Sequence, residues 1–140
     1  MRRIVWVGAV CAASLAGLPA GVAVAQQGQK PAPTENRGLR YETLAGLDLT
    51  GQIDWVAGRQ LRLHRLTMEP GGHAGLHDHR DRPAVLYVVE GAVIDHRDGG
   101  GDPREYRAGQ SITEPVETRH WIENPGDAPT VLIVVDLFRP

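Results

Sequence analysis

A single all-β domain, a sandwich or barrel of short antiparallel strands, is the fold class that this 140-residue sequence predicts. Three observations predict it. The chain carries 17 glycines and 10 prolines, about a fifth of its residues against an average of roughly 12%, and such punctuation favours tight turns over long helices. Apolar residues alternate over short runs, and no segment sustains the 3.6-residue period of an amphipathic helix. The length leaves room for one hydrophobic core and argues against a two-domain enzyme. With 41% hydrophobic side chains and a formal net charge of −2, the chain does not have a disordered composition. Its 15 Lys and Arg are scattered among 17 acids and form no basic stripe, which argues against a nucleic-acid surface.

The first element is an address. Met1-Arg2-Arg3 precedes Ile4 to Ala25, a stretch without a charged side chain that ends in Ala23-Val24-Ala25. This is the pattern of a signal peptide over residues 1–25, cleaved after Ala25, and it predicts a periplasmic or secreted protein. The uncharged stretch is long enough to span a bilayer, but Gly8, Gly17, Pro19, Gly21 and the Ala-x-Ala ending favour cleavage. Cys11, the only cysteine, leaves with the signal, so the mature chain has neither disulfide nor thiolate chemistry. Loss of Arg2 and Arg3 takes the net charge from −2 to −4 with His neutral. Residues 26–37 are polar and proline-rich and read as a flexible leader.

The domain proper is expected over residues 38–140. Its candidate strands are Leu39 to Ala45, Gln60 to Met68, Gly75 to His79, Ala84 to Glu90, Ala92 to His96, Arg104 to Arg107, Ser111 to Glu114, His120 to Glu123 and Thr130 to Phe138. Turn residues sit at most junctions, including Glu69-Pro70-Gly71-Gly72 and Asn124-Pro125-Gly126-Asp127. Ala84 to Val89 and Val131 to Val135 are apolar on both faces, so both should be covered on both sides, and a second subunit in a homodimer is one such cover.

Four of the six histidines, His73, His77, His79 and His120, lie where they could carry chemistry. On a strand, His77 and His79 point to one face with Cα atoms roughly 6.6 Å apart, which lets two imidazole nitrogens converge on one cation at about 2 Å each. Gly71, five residues, His77-Asp78-His79 and then Gly91 resemble the first motif of the cupin superfamily. Gly109, five residues, Pro115, His120 and Asn124 resemble its second motif. The resemblance implies a small single-domain, type-2-like jelly-roll β-barrel. It also implies one divalent transition metal held by His77, His79 and His120. Imidazole suits several such ions, and Fe, Mn, Zn, Ni and Cu all stay open.

Two positions depart from the family pattern. Ala84 stands where a glutamate ligand is expected, and Glu117 where a glycine is expected. Three neutral imidazoles without a carboxylate would leave an ion its full charge, which favours a small anionic ligand such as a carboxylate, enolate or diketonate. Glu114, just before Pro115, is the candidate catalytic residue: a buried carboxyl there could shuttle protons. The competing reading is a surface glutamate at a strand end. Asp81 reads as a solvated, paired acid and Glu90 as exposed.

His73 shares the strand parity of His77 but lies too far away in extended chain to join the same ion, and reads as a polar group at the pocket mouth. Leu61 and Leu63 are expected to face inward, placing His64 outward; His96 reads as surface. Trp121 should face away from the site, and Ile122 should form its wall. Together these features favour a metal-dependent enzyme of the oxygenase or isomerase type acting on a small anionic molecule. A non-catalytic small-molecule or metal-binding protein is the alternative, and a metal-free structural barrel the third.

Overall fold

The computed structural model describes residues 30–140. The expected signal peptide and its cleavage point lie outside the described residues. Eight strands follow in order: β1 (Arg37–Asp48), β2 (Gln60–Asp78), β3 (Ala84–Glu90), β4 (Ala92–Arg97), β5 (Arg104–Arg107), β6 (Ser111–Glu114), β7 (Arg119–Glu123) and β8 (Thr130–Phe138). They are ordered β5-β4-β7-β2-β8-β3-β6, with β1 added on β2, and every pairing is antiparallel. The described chain is a nearly closed barrel of the jelly-roll type with no α-helix, as the turn-rich composition predicts.

Two expected strands prove to be one. Glu69-Pro70-Gly71-Gly72 reads as a turn, yet β2 runs through it for 19 residues. Its first half pairs with β8 and its second with β7, so one bent strand serves both sides of the barrel. The bend needs glycine twice. Gly71 has a φ of +66°, and a Cβ on Gly72 would lie 2.8 Å from Glu69 O. Asn124 then locks the corner: its Nδ2 donates to the carbonyls of Met68, Glu69 and Ala128 at 3.0, 3.2 and 2.8 Å.

Residues 26–37, expected to be a flexible leader, are bound structure where they are described. Leu76 N donates to Pro33 O at 2.7 Å, and Gly75 N to Asn36 Oδ1 at 2.9 Å. Gly75 admits this approach only because it has no side chain; a Cβ there would sit 2.8 Å from Glu35 O. Lys30 pairs with Glu123 and lies 5.4 Å from the Trp121 ring. Proline-rich sequence without a hydrophobic run hid this docking, because it is held by one backbone carbonyl and by Lys30 and Asn36, polar residue types common in solvated segments.

Register places the interior in rungs across β2, β8, β3 and β6. One rung is Arg62, Asp136, Ala84 and Glu114; the next is His64, Val134, Leu86 and Ile112; the third includes Leu66, Leu132 and Val88. The apolar rungs join Met68, Val93 and Ile122 in the core, and the polar rung lies beside the His64 rung, two residues along each strand. The expected facing of β2 is therefore inverted: His64 is buried, whereas Leu61 is exposed and Leu63 only partly covered. Hydrophobicity misleads here because the inner wall at this level is polar and the outer wall is apolar.

Candidate metal centre

The site is built where β2 meets β7. His77 lies opposite His120 across the ladder, and a bulge between Ala74 and His77 resets the alternation of β2. That bulge turns Ala74, not His73, into the cavity. His73 is thus not at the pocket mouth, because its expected parity assumed an unbroken strand. His79 follows β2 and is fixed by its own backbone N–H, which donates to Thr118 O at 2.9 Å.

Each ring is held through Nδ1 by a group that can only accept. His77 Nδ1 donates to Gly75 O at 2.7 Å, His79 Nδ1 to Arg82 O at 2.9 Å, and His120 Nδ1 to Asp95 Oδ1 at 2.6 Å. In the neutral rings the proton is therefore on Nδ1 and the lone pair on Nε2. The three Nε2 atoms nevertheless face one another, with His79 Nε2 3.2 Å from that of His77 and 3.1 Å from that of His120. Lone pairs at that separation repel unless a cation lies among them. Nε2 donors with their Nδ1 atoms anchored to carbonyls or a carboxylate are also the usual arrangement of metal-binding histidines. The residues fit a transition ion, and the three histidines expected to hold one do come together.

Electrostatics favour the ligand form of His77 and His79. Burial pushes His79 down to about 4, with the neighbouring His120 and His77 adding to it. Burial likewise lowers His77. Asp95 has no exposed side-chain surface; burial works to raise its pKa, but hydrogen bonds from His120 and Arg97 outweigh this and hold it below the usual range. Arg97 Nε meets Asp95 Oδ2 at 2.9 Å, so the carboxylate that orients His120 is itself oriented.

Glu114 is not a surface residue. It is 3% exposed and lines the cavity, with Oε2 3.1 Å from His79 Nε2 and Oε1 3.3 Å from His120 Nε2. Burial pushes its carboxyl up to about 7. The expectation of histidines without a carboxylate is corrected: Ala84 brings none, but its ladder partner Glu114 does.

The cavity has a volume of about 380 Å³. Leu66, Leu86, Ile122 and Val134 form its apolar wall, with Ile122 where the sequence places it. At the polar rung Arg62 grips Asp136 through Nε at 3.1 Å and Nη2 at 2.7 Å, and Arg82 Nε lies 3.7 Å from the same carboxylate. His64 also lines the cavity, and among the described residues its buried Nδ1 has no hydrogen-bond partner. Sequence reasoning missed Arg62, His64, Asp95 and Asp136. Only the alternation of Arg62 and His64 along one strand could have signalled any of them, had the inward face been known.

Three further residues lie elsewhere. Trp121 faces away from the cavity, as its parity with His120 predicts. His96, expected at the surface, is buried because it stacks on Trp121 at 3.7 Å between centroids and 4° between planes. Its Nε2 also lies 3.0 Å from Glu123 Oε1. Asp81 is exposed and paired with Arg59 and Arg139.

A family model described as a cupin domain matches residues 64–136. An RmlC-like cupin from Shewanella frigidimarina is 25% identical over 74% of this chain and 83% of that one, with a TM-score of 0.55. A predicted oxalate decarboxylase from Thermotoga maritima is 19% identical over 76% and 93% of the two chains, with a TM-score of 0.57, a likeness of fold. A putative mannose-1-phosphate guanylyltransferase of Vibrio cholerae is 33% identical over 78 residues, which are 56% of this chain and 16% of that protein.

Proposed function

The chain belongs to the cupin domain family, and from that premise we propose that it is an exported small-molecule metalloenzyme of the oxygenase or isomerase type. The observation that carries the metal is the convergence of three Nε2 lone pairs whose Nδ1 protons are all engaged elsewhere. His77, His79 and His120 would hold one divalent ion of the Fe, Mn, Zn, Ni or Cu class. Such an ion would supply Lewis-acid chemistry at that end of the cavity.

The rest of the work falls to side chains of the cavity. Leu66, Leu86, Ile122 and Val134 keep water from the reacting end, while His64 Nδ1 and the Arg62 and Arg82 guanidiniums meet the polar part of a small anionic substrate. Glu114, whose carboxylate lies against two of the three rings, is the group placed to exchange a proton with that substrate. A small carboxylic acid suits this mix of cations and apolar wall. The Thermotoga maritima neighbour, a predicted oxalate decarboxylase, is named for such an acid.

Elemental analysis of protein exported by its own host should find about one transition ion per chain, and His77→Ala should remove it. Metal retained at that level in the variant would overturn the site. Dioxygen uptake or product formation across small carboxylates and diketones then separates an enzyme from a protein that only binds.

We also propose that the chain is a homodimer through the outer face of β3 and β8. Val85, Tyr87, Val89 and Val135 are there 49, 49, 48 and 36% exposed, and Val85 and Val135 are ladder neighbours. This patch carries no charge, so two copies can meet about a two-fold axis without repulsion. Light scattering should give twice the chain mass for the wild type and a single chain for Val85→Asp. A monomeric wild type would refute the dimer.

A further inference from the structure

We infer that Glu114 supplies a fourth protein ligand to the metal centre, the carboxylate having moved one strand across the sheet from position 84. The inference rests on the three-histidine reading above and adds to it a donor from β6. Ala84 and Glu114 are direct antiparallel partners, on β3 and β6. Side chains so paired project from the same face with Cβ atoms roughly 5 Å apart. A glutamate at 114 can therefore reach the space that the short Ala84 side chain leaves open.

The contacts of Glu114 support this role. Its carboxylate oxygens lie 3.1 and 3.3 Å from His79 Nε2 and His120 Nε2. Both nitrogens carry lone pairs in the neutral rings, because their Nδ1 protons are committed to Arg82 O and Asp95. A carboxylate facing two lone pairs, buried and with no side-chain or backbone donor of its own among the described residues, needs a cation between them, a proton in the empty site or a metal ion in the filled one. Asp136, the other acid of the rung, is already matched by Arg62 and Arg82 and is not free to serve. Two oxygens also let one group do two tasks: one can sit on the ion while the other accepts a proton from a bound ligand.

The charge of the centre changes accordingly. Three imidazoles and one carboxylate leave a divalent ion with one net positive charge instead of two. One position fewer is then open to outside ligands than in a site of three histidines alone.

The test uses the metal-free mature chain and Co²⁺ titrated against a chromophoric chelator, with thermal melts to confirm folding. Removing outer partners of metal ligands costs roughly 10–100-fold in affinity, and Glu114→Ala should cost at least about ten-fold on the same scale. Adding Ala84→Glu to that variant should recover most of the loss, since it returns a carboxylate from the adjacent strand. Glu114→Gln, nearly isosteric, should weaken binding and change the visible Co²⁺ spectrum. Wild-type affinity in Glu114→Ala, or a loss that Ala84→Glu leaves unrepaired, overturns the inference. His77→Ala run alongside keeps the two readings apart: if it too binds like wild type, the histidine site itself is wrong.

Discussion

His120→Ala is expected to abolish metal binding and also to lower the stability of the metal-free protein by roughly 1.5–3 kcal/mol, the range for a lost hydrogen bond to a charged group. The two losses share one cause. The His120 and Asp95 side chains are both wholly buried, and Asp95 Oδ1 accepts the ring proton at 2.6 Å. Without the ring, that oxygen loses the only donor it has among the described residues, while Arg97 still holds the other. Asp95→Asn separates the effects. It keeps the shape but removes the charge that fixes the tautomer, so metal affinity should fall by roughly 10–100-fold with a smaller loss of stability. Urea unfolding and elemental analysis of both variants provide the check. A metal-free His120→Ala as stable as wild type would show that the Asp95 pair does not contribute as its burial implies.

What the sequence made legible was what lies close together along it. His77 and His79 are two residues apart, and the glycines and proline around them and around His120 mark turns that only a few residue types can form. The fold class followed from the same punctuation, and seven of the eight strands lie close to their expected places. The exception is instructive. Pro70, Gly71 and Gly72 can end a strand or bend one, and the difference is decided by Asn124, far along the chain, whose side chain ties down the carbonyls of Met68 and Glu69.

Two histidines, His73 and His64, lie where strand parity does not put them. Strand parity is a rigid rule until one bulge intervenes, and the bulge after Ala74 separates His73 from His77. His64 differs for another reason: the apolar character of Leu61 and Leu63 predicts that they face inward, whereas they lie on the outer wall and the polar pair Arg62 and Asp136 takes the inside. Glu114 illustrates the limit most sharply. Its position before Pro115 marked it as a candidate acid, but its contact with His79 depends on the register of β3 with β6 and the path of β2, neither of which is written locally.

Glu114→Gln is expected to reverse its effect on stability when metal is added, and pH shows why. In the metal-free protein, burial raises the Glu114 carboxyl from about 4.5 to about 7. A raised folded value means that the native state holds the proton more tightly. Stability is then full below about pH 4.5 and is lost as pH rises to about 7. At 1.36 kcal/mol per pH unit the loss is on the order of 3 kcal/mol. His79 acts in the opposite sense: its value falls from 6.5 to about 4, so its neutral form is favoured and stability is lost as pH falls through that interval. The two slopes largely cancel between about pH 4.5 and 6.5, which should leave the wild-type profile shallow there.

Glutamine removes one slope and exposes the other. Metal-free Glu114→Gln should lose stability below about pH 6.5 more steeply than wild type. Relative to wild type, it should also gain on the order of 3 kcal/mol between pH 4.5 and 8. Saturating Zn²⁺ should invert the order at pH 8, because an ionised carboxylate that is a burden in the empty site becomes a donor to the ion and its binding energy adds to the native state. Denaturant unfolding at several pH values, with and without Zn²⁺, reads both effects. Parallel metal-free profiles would show that Glu114 does not carry the buried charge assigned to it, and an unchanged order in Zn²⁺ would show that this charge does not face the ion.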